Sequence, residues 1–272
     1  MSTTASTTTP SNAPHFPPAD VIQSLQKPIL PSEWRCISMA SPAKYTVSEA
    51  LEKLEKCLPV GSRLKILLAD TTRIEIAVYE PTLAQASAAA ELYDQMRDVI
   101  RLAPGAPLIS LGLRSIGTTT FGDRTTGPKK QPDSGFMPST RVPGEWPTVV
   151  MEVGLSESRP ELYQDVQRWF RISDGSVNQV KLVISVKLFE TTPTLAKRME
   201  VTFYERAAAP QCAQILPGTH TYTWTQAQPP SVPISIPVLH MYDLAPVWLP
   251  NPIVLSTAQL QYWMDMVFQA LP

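Results

Sequence analysis

The stretch Val149-Val150-Met151-Glu152-Val153-Gly154 constrains this chain more than any other. It is an apolar run of strand length with Trp146-Pro147 before it and Gly154-Leu155-Ser156 closing it. Such a run fits a central strand covered on both faces, so the chain must build layers on either side of a sheet. Glu152 is out of place in it. A buried carboxylate is costly unless it is paired or ligates a metal. Alternation puts Met151 and Val153 on one face, and Val150, Glu152 and Gly154 on the other.

The flanking sequence supplies the layers. Val47, Leu51, Leu54 and Leu58 recur at helical spacing and predict an amphipathic helix stopped by Pro59 and Gly61. Residues 63–80 read as two β-rich runs around Asp70-Thr71-Thr72, a hairpin. A second helix is expected from Thr82 to Leu102, with Ala89, Leu92, Tyr93, Met96, Val99 and Ile100 on one face. A strand is expected within 107–116. Ser158 and Glu161 have capping-box spacing and open a helix over 159–172 that carries Leu162, Val166, Trp169 and Phe170. Residues 179–189 and 199–206 are strongly β. Ser256 and Gln259 repeat the box before a final helix with Leu260, Trp263, Met264, Val267 and Phe268. The order helix, strand, strand, strand, helix, strand implies an α/β fold, a mixed sheet flanked by helices.

The ends differ in composition. Seven of the first nine residues are Ser or Thr, and residues 1–33 read as a disordered tail ahead of a single domain over 34–272. Proline contributes 28 of 272 residues and is dense across 207–255, a C-terminal extension. Net charge is −1, so no global basic field marks a nucleic-acid binder and any such contact must be local. Arg114, Arg124, Lys129, Lys130 and Arg141 thicken the charge locally; they form either a solvated loop or a patch that holds phosphates. No apolar stretch approaches the roughly 18 residues of a membrane span, and the N-terminus lacks a signal-like apolar region. Cys36, Cys57 and Cys212 form no C-x-x-C pair and read as free thiols of an intracellular protein, cytoplasmic or nuclear. His15, His220 and His240 form no H-E-x-x-H. Any metal would be held by oxygen, which suits Mg²⁺ or Mn²⁺.

A second acid follows Pro132. If Asp133 lies on the strand beside Glu152, the carboxylates converge. With the Val153 carbonyl and water they would hold Mg²⁺ or Mn²⁺, which activates water against a phosphodiester. The segment from Pro132-Asp133-Ser134-Gly135-Phe136 through Trp146–Ser158, the helix with Leu162, Asp165 and Trp169, and the strand at 180–186 resembles the PD-(D/E)XK, restriction-endonuclease-like superfamily. It is most similar to a branch in filamentous fungi and, more distantly, to a large bacterial family with a D…E-V pattern. The resemblance covers about residues 82–190. It implies that Asp133 is the first acid, Glu152 the second, and DNA or RNA the substrate of a metal-dependent endonuclease.

One departure stands out. The superfamily places a lysine two residues after the glutamate, and here that residue is Gly154. The helix over 159–172 has no lysine, only arginines such as Arg168. Arg168 or Lys130 is then the candidate charge stabiliser, with Lys129, Arg141 and Arg124 as phosphate contacts. Arginine stays protonated and does not replace a lysine that handles water. A catalytically degenerate fold that binds nucleic acid or a protein is the alternative, with Glu152 paired to an arginine such as Arg168 and Asp133 serving a turn. Two further readings differ in class. Ser156 lies between strand and helix like the nucleophile of an esterase elbow, with His220 or His240 as base, but the closing glycine is absent. Tyr222, Trp224, Tyr242 and Trp248 form either an interaction surface or the packing of long loops.

Overall fold

Of three β-sheets among the described residues, the two larger, each with its own helical cover, meet beside Glu152 and the third is a two-stranded ribbon. The computed structural model describes residues 16–27, 34–42, 45–59, 62–70, 72–79, 82–107, 112–122, 128–155, 157–191, 196–207 and 212–272. The first part contains α1 (Ala19–Gln26), β1 (Trp34–Ala40), α2 (Val47–Glu55), β2 (Arg63–Ala69) and β3 (Arg73–Tyr79). Then come α3 (Leu83–Arg101), β4 (Leu113–Ser115), β5 (Phe121–Gly122), β6 (Lys129–Lys130), β7 (Ser134–Pro138) and β8 (Val149–Gly154). They lead into α4 (Arg159–Ile172), β9 (Leu182–Phe189), β10 (Arg198–Arg206), β11 (Ala213–Ile215) and β12 (Tyr222–Thr225). The last elements are β13 (Ile234–Ile236), α5 (Val238–Met241), β14 (Ile253–Leu255) and α6 (Thr257–Ala270).

The first sheet has the order β1-β3-β2-β6-β5. Its hairpin forms as expected: Asp70 Oδ1 accepts from the backbone N–H of Thr72 at 2.7 Å and of Arg73 at 2.9 Å, which closes the turn. The second sheet runs β11-β10-β9-β8-β7-β4, with β12 also on β10. β8 and β9 are parallel, whereas β7 and β8 are antiparallel. The α/β class with a mixed sheet therefore holds.

Alternation works as expected in β8. Met151 and Val153 join the core under α3 and α6, and Val150 joins Val166, Trp169 and Phe170 under α4. The Ser158–Glu161 and Ser256–Gln259 capping boxes both form. The indole of Trp263 in α6 donates to the Ala88 carbonyl in α3 at 2.9 Å, tying the two covering helices together.

One expectation needs correction, and two others become more definite. The tail is not featureless over 16–27. Phe16, Val21 and Leu25 are buried in the core of the first sheet, and Arg35 donates to the Ser24 carbonyl at 2.7 Å near the end of α1. The Ser/Thr-rich start obscured two apolar residues at i,i+4 spacing, enough to dock one short helix. Residues 1–15 lie outside the described residues. Within the strand expected over 107–116, the described residues include β4, and 108–111 lie outside the described residues. Across 207–255, Tyr222, Trp224 and Tyr242 are buried. Trp224 meets Trp263 edge-on at 5.8 Å, so Tyr222 and Trp224 pack strand β12, and Tyr242 its loop, onto the core.

Candidate functional site

Asp133 immediately precedes β7, and its N–H donates to the Met151 carbonyl on β8 at 3.1 Å. This pairing brings it beside Glu152. Asp133 Oδ2 accepts from the Val153 N–H at 2.7 Å and from Lys65 Nζ at 2.9 Å. The same ammonium lies 2.5 Å from Glu152 Oε2. The two acids thus converge, and a lysine from the other sheet fills the point where they meet.

Glu152 is fully buried, and its second oxygen is engaged too. Oε1 lies 3.2 Å from Lys130 Nζ and accepts from the indole N–H of Trp169. Lys130 is also fully buried, reaches Asp165 Oδ1 at 3.3 Å and lies over the Trp169 ring at 5.1 Å. Arg168 does not pair with Glu152. Its guanidinium spans Asp165 at 2.9 Å and Glu75 at 2.9 Å, and Glu75 also meets Arg73 at 3.2 Å. The carboxylates of Asp133, Glu152, Asp165 and Glu75 are therefore matched by Lys65, Lys130, Arg168 and Arg73. Burial works to lower the Lys65 pKa. The nearby carboxylates, Asp133 first and Glu152 second, outweigh it and hold the ammonium well above the usual lysine range.

Gly154 is crowded only by the ends of two side chains. A Cβ there would lie 2.8 Å from Glu157 Oε2 and 3.3 Å from Leu162 Cδ2. A larger residue at this position would require the Glu157 and Leu162 side chains to shift.

The other site expectations fare unevenly. Lys129 is 7% exposed and donates to Ser48 Oγ at 2.6 Å. Arg141 is 2% exposed and grips Asp243 at 2.9 and 2.6 Å, holding that carboxyl down to about 2, while also donating to the Gln179 carbonyl at 3.1 Å. It is a structural clamp and not a phosphate contact. Arg168 is held by two carboxylates, and Lys130 faces two at ion-pair distance although its Nζ, buried, makes no hydrogen bond among the described residues. Arg124 and Ser156 lie outside the described residues. His240 Nε2 meets Glu205 at 3.1 Å, and the His220 ring packs on Tyr222 with centroids 4.1 Å apart.

The Val153 carbonyl accepts from Gln85 Nε2 at 3.4 Å. With Lys65 between the acids and both Glu152 oxygens engaged, the donor set as arranged does not fit a divalent ion. Among the described residues no group of three or more His, Cys, Asp or Glu is arranged to hold one. Asp133 keeps 16% exposure, on the wall of a groove of about 820 Å³. Glu55, Asp94, Asp133 and Lys65 are the charged groups lining that groove, and the lysine is spent on the acids. Tyr79 also lines it; burial, reinforced by the Asp133 charge, pushes its phenol up to about 12, so it stays a donor.

No family model matches the chain, and no curated protein compared with it is similar.

Lys65 escaped the sequence reading, although a signal was present. It interrupts the apolar strand Leu64-Lys65-Ile66-Leu67-Leu68 as Glu152 interrupts β8. Leu64 and Ile66 face the core of the first sheet, so alternation sends Lys65 to the opposite side, toward the acids.

Proposed function

We propose that the chain is a restriction-endonuclease-like fold whose acidic pair has become a buried ion-pair cluster, and that it serves as a non-catalytic protein-interaction module. The order α3, β4, β7, β8, α4, β9, with β8 and β9 parallel and an acid at the head of β7 and in β8, supports the fold reading. One observation carries the functional reading: Lys65 Nζ lies 2.9 Å from Asp133 and 2.5 Å from Glu152. An ammonium there supplies the positive charge that a cation would bring. The groove beside it carries more acid than base, which repels phosphate and favours a protein partner.

A second reading is favoured by the same lysine. An aspartate and a lysine at the groove wall, with a buried glutamate behind them, make up the residue set of the superfamily's nucleases, with Lys65 in place of the lysine lost at Gly154. Incubation with plasmid, single-stranded DNA and RNA in Mg²⁺, Mn²⁺ or EDTA separates the two. The interaction module gives no cleavage above the EDTA control. Metal-dependent cleavage that is lost in Asp133→Asn overturns it in favour of the nuclease.

A further inference from the structure

A second cavity, of about 210 Å³, lies between the first sheet and the opening turns of α4. Its walls are apolar at Ile37, Leu67, Ile76 and Leu162. Four carboxyl groups also line it: Glu75, Glu157, Glu161 and Asp165. Two of them are neutralised, since Arg168 bridges Asp165 and Glu75. Glu161 is exposed at the first turn of α4, where its carboxylate accepts from the Ser158 N–H at 2.7 Å and meets no cation among the described residues.

Glu157 is the exception. It is 4% exposed, and its Oε2 has no hydrogen-bond partner. Lys65 and Lys187 influence it from a distance, but no cation lies within ion-pair reach among the described residues. Burial, with Asp133 and Asp165 adding and Lys65 opposing, pushes its carboxyl up to about 8. A buried polar atom without a partner calls for a donor.

We propose that this cavity binds a short aliphatic diamine, one ammonium seated on Glu157, the methylenes against the apolar walls, and the second ammonium at Glu161. Size and chemistry both select this class. The volume holds on the order of seven waters at roughly 30 Å³ each, or a ligand of about six heavy atoms, and excludes a nucleotide. The carboxyls do not cluster as ligands of a bare metal ion among the described residues. An ammonium presents three donors on one point charge and accepts nothing, which suits an unpartnered carboxyl oxygen.

Calorimetric titration of the whole chain with 1,4-diaminobutane, 1,4-butanediol and MgCl₂ at matched ionic strength tests this. The expected result is saturable binding of the diamine alone, at least tenfold weaker in Glu157→Gln and unchanged in Glu55→Gln, which lies in the other groove. Amide shifts of the unsubstituted protein provide a check that does not depend on how Glu157→Gln folds. They should move at Ile37, Ser38 and the first turns of α4. The proposal is overturned if the diol binds as well as the diamine, if Glu157→Gln binds unchanged, or if the shifts fall elsewhere. Loss of the diamine site leaves the nuclease question untouched, because that assay reads Asp133 and Glu152.

Discussion

Replacing Lys65 with methionine keeps most of the side-chain volume and removes the charge that joins the two sheets. The attraction lost is large. At an effective dielectric of about 20, charges 2.5 and 2.9 Å apart attract by roughly 6 kcal/mol each. Desolvating the lysine opposes this by several kcal/mol, so the net effect is much smaller than the sum. What remains is the cost of leaving acids uncompensated. Glu152 keeps Lys130 and the Trp169 indole, and Asp133 keeps the Val153 N–H and some solvent. The expected loss for Lys65→Met is therefore about 3 kcal/mol, the low end of the range for a broken buried pair. Urea unfolding followed by circular dichroism at pH 7 measures it. Lys65→Met combined with Glu152→Gln should recover much of the loss, with a coupling energy of at least about 2 kcal/mol. A single variant within 1 kcal/mol of the parent, or strictly additive losses, would refute the ion-pair reading.

Two more predictions follow from neighbouring groups. Glu157 has its folded pKa raised to about 8, so the protonated form is favoured by the fold. Its contribution is fully present below the unfolded value of about 4.5 and is lost as pH rises toward 8, by up to roughly 4–5 kcal/mol at about 1.4 kcal/mol per unit. Glu157→Gln should flatten that slope and gain stability at pH 8.5 relative to pH 5; urea midpoints that keep the parent's slope would count against it. Gly154→Ala should cost about 1 kcal/mol, the low end for added buried volume, because its Cβ meets only the movable Glu157 carboxyl at 2.8 Å and the Leu162 methyl at 3.3 Å, and Glu157→Ala in the same chain should relieve part of the loss. A neutral Gly154→Ala would show that the Glu157 carboxyl yields freely.

Much of the local architecture was legible. Ser158 and Ser256 cap their helices through the expected glutamate and glutamine, and Asp70 closes the expected hairpin. Each is decided within four residues. Met151, Val153 and Val150 took their expected faces because strand alternation is strict. Arg141 was misread for the opposite reason. Charge along a loop looks the same whether it is solvated or clamped, and its carboxylate partner Asp243 lies 102 residues away. The helix at 19–26 was lost in the average composition of its surroundings.

The sequence by itself determined that two acids and several strongly patterned helices and strands must share a layered α/β fold, since burial periodicity and caps are short-range effects. Only the tertiary structure decided what stands between the acids. Lys65 is 68 residues from Asp133 and 87 from Glu152, so their meeting depends on how one sheet is laid against another. Periodicity reports that a charge will be buried; the identity of its counter-charge is set by long-range packing.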